Sequence, residues 1–156
     1  MDMRYPRSIQ MGVLCLALSF LAPILRAADA PKFELKDGDR VAYIGGTFVE
    51  RDQDYSYLET LLTERYPDRT FTFRNLGWAG DTVTGQARAM FGKPEDGFNR
   101  LKDLVEQIKP TVVLVCYGMS ESFDGPAKLP EFEKDYNTML DMLASAAAPG
   151  ARFALI

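Results

Sequence analysis

The sequence predicts a three-layer α/β domain with a parallel sheet, and three observations carry this prediction. Short apolar stretches, beginning with "RVAYIG" at residues 40–45, alternate with longer stretches of helical periodicity. The stretch "TVVLVCYG" at residues 111–118 is apolar at nearly every position, which is typical of a central parallel strand covered on both faces. The resulting order β-α-β-α-β-α-β implies right-handed crossovers. At 156 residues and 47% hydrophobic, the chain fits one domain with its own core.

Each predicted strand has its own signal. The first, residues 40–45, lies between "KDGD" and a pair of glycines. The second, "TFTFRN" at residues 70–75, alternates phenylalanine with polar neighbours, as a strand near a sheet edge would. The third is the apolar run at residues 111–118, and "ARFALI" at residues 151–156 begins a fourth. The sheet is therefore predicted to be truncated after the fourth strand, with an open apolar edge.

Three helices are predicted between these strands, over residues 55–66, over residues 98–108, and from Pro130 onward. The second helix is expected to stop before Pro110. The residues expected to face the sheet are Tyr55, Leu58, Leu61 and Leu62 in the first helix, Phe98, Leu101, Leu104, Val105 and Ile108 in the second, and Phe132, Tyr136, Met139, Leu140 and Leu143 in the third.

The N-terminal segment is of a different kind. Arg4 and Arg7 precede an apolar run at residues 11–25, which is followed by the small residues of "RAADA". This pattern predicts a secretory signal peptide over residues 1–30, because the run is short for a membrane span; an uncleaved anchor is the alternative. We therefore expect an exported protein, periplasmic or extracellular, with no stable membrane insertion after cleavage and a domain over residues 31–156. Cys116 is then the only cysteine of the mature part, which excludes an internal disulfide.

Charge and glycine pattern limit the function classes. A net charge of −4 and a pI near 4.9 provide no basic surface for phosphate backbones, so no nucleic-acid partner is expected. Glycines after the first strand would also suit a dinucleotide- or phosphate-binding module. The sequence has no Gly-x-Gly-x-x-Gly, however, and residues 47–54 are expected to form a charged loop rather than a helix start.

Three unusual segments follow the first three strands: "GGTF", "NLGWAGDT" and "YGMSESFDG". In parallel sheets, ligands bind at the carboxyl ends of strands, beside the point where the strand order reverses. We therefore expect the three segments to meet at one rim, with the first strand between the second and third. Taken singly, each segment also has a purely structural interpretation: Gly45 and Gly46 serve a turn that needs positive φ or close packing, and Asp81 caps a turn.

In order and spacing, the three segments resemble the first three sequence blocks of the SGNH hydrolases, also called GDSL-type esterases and lipases. The resemblance covers roughly residues 39–156, and "NLGWAGDTV" is its most specific part. It implies a flavodoxin-like fold and hydrolysis of an acyl or acetyl ester, such as one carried by a carbohydrate. It implies no metal and no organic cofactor.

The resemblance also implies roles for individual residues. Gly46 occupies the position of the family's aspartate, and Thr47 that of the nucleophilic serine. Gly80 matches the glycine whose N–H joins the oxyanion hole, and Ser120 replaces the asparagine whose side chain does so. Thr47 is therefore expected to be the attacking hydroxyl. The Gly80 N–H, the Ser120 side chain and the Thr47 N–H are expected to surround the oxyanion.

The remaining candidates are substrate contacts and a base. Trp78 suits stacking on a sugar ring, and Asp81 and Glu121 lie near the predicted rim. The family's Asp-x-x-His motif is missing, since the chain contains no histidine. Glu50, Asp81 and Glu121 are the carboxylates near the rim that remain as substitutes. A non-catalytic descendant of the fold, which binds a carbohydrate or an acylated ligand without cleaving it, is the competing hypothesis.

Overall fold

Four parallel strands form one sheet in the computed structural model, which describes residues 33–156. The strands are β1 (Arg40–Gly45), β2 (Thr72–Asn75), β3 (Val112–Cys116) and β4 (Arg152–Leu155), and their order is β2-β1-β3-β4. All three pairings are parallel, and Tyr43 of β1 lies between Asn75 of β2 and Leu114 of β3. The predicted α/β fold and the predicted position of the first strand are confirmed.

Four α-helices connect the strands: α1 (Thr47–Arg51), α2 (Tyr57–Arg65), α3 (Pro94–Ile108) and α4 (Leu129–Ala146). Helix α1 and the 3₁₀ turn Asp52–Asp54 occupy the stretch expected to be a charged loop, so that expectation is wrong. The Glu50 N–H donates to the Gly46 carbonyl and closes the first turn, and Val49 is the buried residue of α1. A single apolar anchor in a five-residue helix leaves no periodicity for the sequence to display.

Both faces of the sheet are covered. On one face, Ile44, Val113 and Val115 pack with Leu101 of α3 and Leu143 of α4. On the other face, a second core cluster consists of Leu35, Val41, Tyr43, Val49, Val112 and Leu114, with Leu58 and Leu62 of α2 packed against it. Neighbouring residues of β1 and β3 alternate between the two clusters, as the side chains of a strand do. The domain therefore has three layers.

The predicted apolar stripe of the first helix is partly wrong. Leu58 and Leu62 pack against the core, but Tyr55 and Leu61 are 64% and 61% exposed. Tyr55 precedes the helix, which begins at Tyr57. Leu61 is turned by about 100° from Leu62 around the helix axis, which carries it away from the sheet. In α3, Leu104 is likewise exposed, whereas Leu101 and Val105 are buried as predicted.

Two expectations from the sequence concern the N-terminal segment and Cys116. The predicted signal peptide, residues 1–30, lies outside the described residues. Within residues 33–156, no helix combines the length and apolar character needed to cross a membrane. Cys116 is a free, half-buried thiol at the end of β3, and burial raises its pKa.

The open edge of β4 supports a prediction about association. The N–H groups of Arg152 and Ile156 donate to the carbonyls of Thr111, just before β3, and Val115, so those of Phe153 and Leu155 face the other way, where the described chain supplies no strand. Leu155 and Ile156 are also exposed apolar side chains. We expect the 156-residue chain to associate in a concentration-dependent way through this edge, as measured by sedimentation velocity.

A matched pair of variants tests this edge. Leu155→Pro removes an outward N–H without touching the β3 ladder, and it should leave the protein largely monomeric. Leu155→Ala keeps the N–H and should still associate. A wild-type sample that stays strictly monomeric at every concentration would contradict the prediction.

Candidate functional site

The three segments that follow β1, β2 and β3 meet at the carboxyl edge of the sheet. The Gly80 N–H donates a 2.8 Å hydrogen bond to the Thr47 Oγ. Thr47 and Ser120 line one cavity of about 240 Å³, together with Gly46, Glu121 and Ile156. We call this cavity the Thr47 cleft. Thr47 and Ser120 thus share one cleft, whereas Gly80 does not line it and meets Thr47 through the hydrogen bond to its hydroxyl.

The two glycines before Thr47 provide space rather than positive φ. A Cβ on Gly45 would lie 2.4 Å from the Cys116 carbonyl oxygen and 2.6 Å from the Val49 side chain. Gly46 has a φ of −81°, and its Cβ would lie 3.1 Å from the Asp81 carbonyl oxygen. The chain therefore turns from β1 into α1 with its backbone pressed against the two neighbouring loops. The missing side chain of Gly46 helps to keep the Thr47 cleft open.

A tight turn holds Gly80 beside Thr47. The Trp78 N–H donates to the Gly45 carbonyl, and the Asp81 N–H donates to the Trp78 carbonyl. Gly80 has a φ of +70°, a conformation that favours glycine, although a Cβ there would meet no atom within 4 Å. The backbone conformation of this turn, rather than packing, thus accounts for glycine at this position.

Asp81 supports this turn from inside the protein. Its side chain is fully buried and accepts hydrogen bonds from Arg88 Nε at 2.5 Å and from the Tyr117 hydroxyl at 2.8 Å. Arg88 is also buried and donates to the Leu76 carbonyl. Burial raises the pKa of Tyr117, with the Asp81 charge adding to the rise. Asp81 therefore anchors the loop after β2 from inside the protein, and it also lines the Thr47 cleft, with its second oxygen, Oδ1, buried without a hydrogen-bond partner within residues 33–156.

Arg88 is the site residue that the sequence analysis missed. It follows Asp81 by seven residues, in "GQARAM", where small and apolar neighbours flank a single charge. Such neighbours are a weak indication that the arginine is buried. A buried charge needs a partner of opposite charge, which here is Asp81. The Arg88 guanidinium also lies 5.9 Å from the centre of the Trp78 ring.

Glu121 joins two loops of the site. One carboxylate oxygen accepts the Val83 N–H at 2.9 Å, and the other accepts the Gly118 N–H at 3.1 Å. Val83 lies in the loop after β2, whereas Gly118 lies in the loop after β3. The side chain thus fixes the spacing of both loops, and with it the position of Ser120.

Ser120 and Trp78 differ in their availability to a ligand. Ser120 is exposed in the Thr47 cleft, and its hydroxyl makes no hydrogen bond within residues 33–156. Trp78 is 41% exposed but is absent from the residues that line the Thr47 cleft. Of the two, Ser120 alone is placed next to Thr47.

The three carboxylates near the rim are held to different degrees: Asp81 Oδ1 and Glu50 Oε2 are buried without a hydrogen-bond partner within residues 33–156, whereas both oxygens of Glu121 are bonded. Asp81 is bonded to Arg88 and Tyr117, and Glu121 to two backbone N–H groups. Glu50 forms an ion pair with Arg51 at 3.5 Å and does not line the Thr47 cleft. In the described part of the chain, no cluster of three or more His, Cys, Asp or Glu side chains is arranged to hold a metal ion.

A larger cavity of about 500 Å³ adjoins the Thr47 cleft. We call it the α4 cavity, because the start of α4 forms one of its sides. Its lining includes Thr82 and Thr84 from the loop after β2, Gly118 and Glu121 from the loop after β3, and Phe132 and Asp135 from α4. Gly118 and Glu121 belong to both cavities.

The chain has structural neighbours among solved hydrolases. A variant of the acetyl xylan esterase Axe2 from Geobacillus stearothermophilus aligns with a TM-score of 0.53 at 18% identity, over 79% of this chain and 61% of that one. An α/β hydrolase enzyme from the metagenome of Lake Arreo, Spain, aligns with a TM-score of 0.52 at 22% identity, over 78% and 61%. A gut microbial diltiazem-metabolizing enzyme aligns with a TM-score of 0.52 at 22% identity, over 80% and 28%.

These likenesses concern the fold. The chain spans less than two thirds of the length of each of the three neighbours. No protein-family model matches the chain, and no curated protein sequence matches it. The domain therefore has an α/β fold like that of known esterases.

Proposed function

We propose that residues 31–156 belong to an SGNH-type ester hydrolase domain, which acts on acyl or acetyl esters, among them esters of carbohydrates. One observation carries the proposal: the Gly80 N–H donates a 2.8 Å hydrogen bond to the Thr47 Oγ, so a backbone donor lies beside a hydroxyl that lines the Thr47 cleft. An acyl-transfer site needs this pairing of a nucleophile with donors for the oxyanion. The esterase-like fold supports the proposal.

In the proposed reaction, the Thr47 Oγ attacks the ester carbonyl carbon and loses its proton to a base. The carbonyl oxygen becomes an oxyanion, to which the Gly80 N–H, the Thr47 N–H and the Ser120 hydroxyl donate. The bond to the alcohol oxygen then breaks, and the alcohol leaves with a proton. Water releases the acid from the acyl-Thr47 ester and restores the hydroxyl.

The proton acceptor distinguishes this proposal from a second candidate function. A threonine hydroxyl is a weak nucleophile without a nearby base, and the sequence contains no histidine. Asp81 is held in an ion pair with Arg88, Glu121 accepts two backbone N–H groups, and Glu50 does not line the Thr47 cleft. That engagement favours, as second candidate, a site that binds a small ester or a carbohydrate without cleaving it.

We further propose that the protein is exported, on the basis of its N-terminal sequence, and that its partner is a small ester or carbohydrate rather than a nucleic acid. A fusion of residues 1–30 to a reporter enzyme that works only outside the cytoplasm tests export. Activity of the reporter supports export, and an inactive but expressed reporter contradicts it.

A boronic acid tests the Thr47 site without relying on a base for turnover. Phenylboronic acid should form a tetrahedral adduct with the Thr47 Oγ, with the boron hydroxyls next to the oxyanion donors, and boron NMR should detect it. Thr47→Val, which keeps the shape of the side chain, should abolish the adduct. Thr63→Val, the same substitution at an exposed position of α2 outside both cavities, is the matched control and should leave it unchanged. An adduct that persists in Thr47→Val would contradict the assignment of Thr47.

A further inference from the structure

We propose that the α4 cavity holds the alcohol part of the ester, and that this part is an uncharged, polyhydroxylated ring such as a neutral sugar unit. The inference deepens the proposed function and rests on it. It places the sugar against α4 rather than against Trp78, which does not line the cavity.

The position of the cavity supports an alcohol subsite. Gly118 and Glu121 line both the α4 cavity and the Thr47 cleft, so the two spaces are neighbours. Gly118 has no side chain that would separate them. An ester whose carbonyl lies at Thr47 therefore has its alcohol within reach of the α4 cavity. The volume of about 500 Å³ falls within the usual range for small-molecule sites.

The lining combines an aromatic ring with hydrogen-bonding groups. Phe132 is partly buried and packs edge-on against Tyr136, with ring centres 5.4 Å apart. The Thr82 and Thr84 hydroxyls lie 3.0 Å apart and share one hydrogen bond, which leaves further capacity on both oxygens. The C–H groups of a sugar ring suit contact with Phe132, and its hydroxyls suit the polar groups. A plain hydrocarbon chain would leave those polar groups without partners.

The charges of the lining favour a neutral ring over an anionic one. Within residues 33–156, Lys128 is the one basic residue that lines the cavity, and Glu131 pairs with it at 2.6 Å. The side chains of Asp124 and Asp135 form no ion pair or hydrogen bond within residues 33–156, although the Asp124 charge helps to raise the pKa of Lys128. Their carboxylates can accept hydrogen bonds from sugar hydroxyls, but they repel a carboxylate or a phosphate on the ligand.

Titrations followed by NMR test the inference on the 156-residue protein, without turnover. Methyl glucoside should shift signals from the α4 cavity. Methyl glucuronide, its anionic counterpart, should bind at least about tenfold more weakly at low salt.

Asp135→Leu should weaken glucoside binding by about tenfold or more, because hydrogen bonds to a charged group are lost. Asp135→Asn should reduce the difference in affinity between methyl glucoside and methyl glucuronide. Asp141→Asn, on an exposed part of α4, is the matched control and should change neither affinity.

Several outcomes would overturn the inference. Tighter binding of glucuronide or of hexanoate than of glucoside would show that the cavity prefers a different ligand chemistry. Loss of glucoside binding in Trp78→Ala but not in Asp135→Leu would show that the sugar binds at Trp78 instead. A boronate adduct at Thr47 without glucoside binding would overturn this inference alone. Glucoside binding at α4 without a boronate adduct would support the sugar site and contradict the hydrolase proposal.

Discussion

Arg88→Ala should lower the free energy of unfolding by about 3–5 kcal/mol, because it leaves the buried Asp81 carboxylate without its cation. Both side chains are almost completely inaccessible, at 3% and 0% exposed. The loss is large because a buried charge with no partner costs far more than a broken surface ion pair. Denaturation in urea, followed by circular dichroism, measures the change.

Two further variants make this result interpretable. Arg100→Ala removes a guanidinium from the exposed face of α3, where Nη1 donates to the Met90 sulfur at 3.2 Å, and it should change the free energy of unfolding by less than about 0.5 kcal/mol. Combining Arg88→Met with Asp81→Leu removes both charges and should recover much of the loss. If the free energy of unfolding of Arg88→Ala lay within about 1 kcal/mol of the wild-type value, solvent would have to reach the Asp81 carboxylate.

Supplying a base should raise the Thr47-dependent rate of ester hydrolysis by a factor of about 10² to 10⁴. The 156-residue chain has no histidine, so it should hydrolyse p-nitrophenyl acetate barely above background, and Thr47→Ala should change that rate little. The oxyanion donors alone account for any residual acceleration. A longer form of the chain that includes an Asp-x-x-His motif should be active, and in that form Thr47→Ala should remove most of the rate.

Imidazole in solution offers a second source of base. It hydrolyses the ester by itself, so the informative quantity is the difference between wild type and Thr47→Ala at the same imidazole concentration. That difference should grow with imidazole. Fast turnover by the 156-residue chain without added base, abolished by Thr47→Ala, would contradict the prediction. Replacing Glu50, Asp81 and Glu121 in turn would then identify the residue that acts as base.

The carboxylate positions show where prediction from sequence is weakest. Asp81 and Glu121 are both predicted to lie near the substrate; both line the Thr47 cleft, and both carboxylates also accept hydrogen bonds from other protein groups. Nothing in their neighbours along the chain distinguishes a carboxylate that faces ligand from one that accepts N–H groups of another loop. The pairing of Arg88 with Asp81 depends on how the loop after β2 folds back.

The sequence by itself determined the order of the elements, the parallel sheet and the meeting of Thr47 with Gly80. These follow from local hydrophobic patterns and from the rule that parallel strands end at one edge. The tertiary structure alone decided the burial of the Asp81–Arg88 pair, the bridge through Glu121, helix α1 and the cavity against α4. Those features depend on contacts between loops that are far apart in the chain. Burial of a charge raises its free-energy cost, so Asp81 needs Arg88 as a partner. A cavity forms only where several loops lie side by side, so no single segment predicts it.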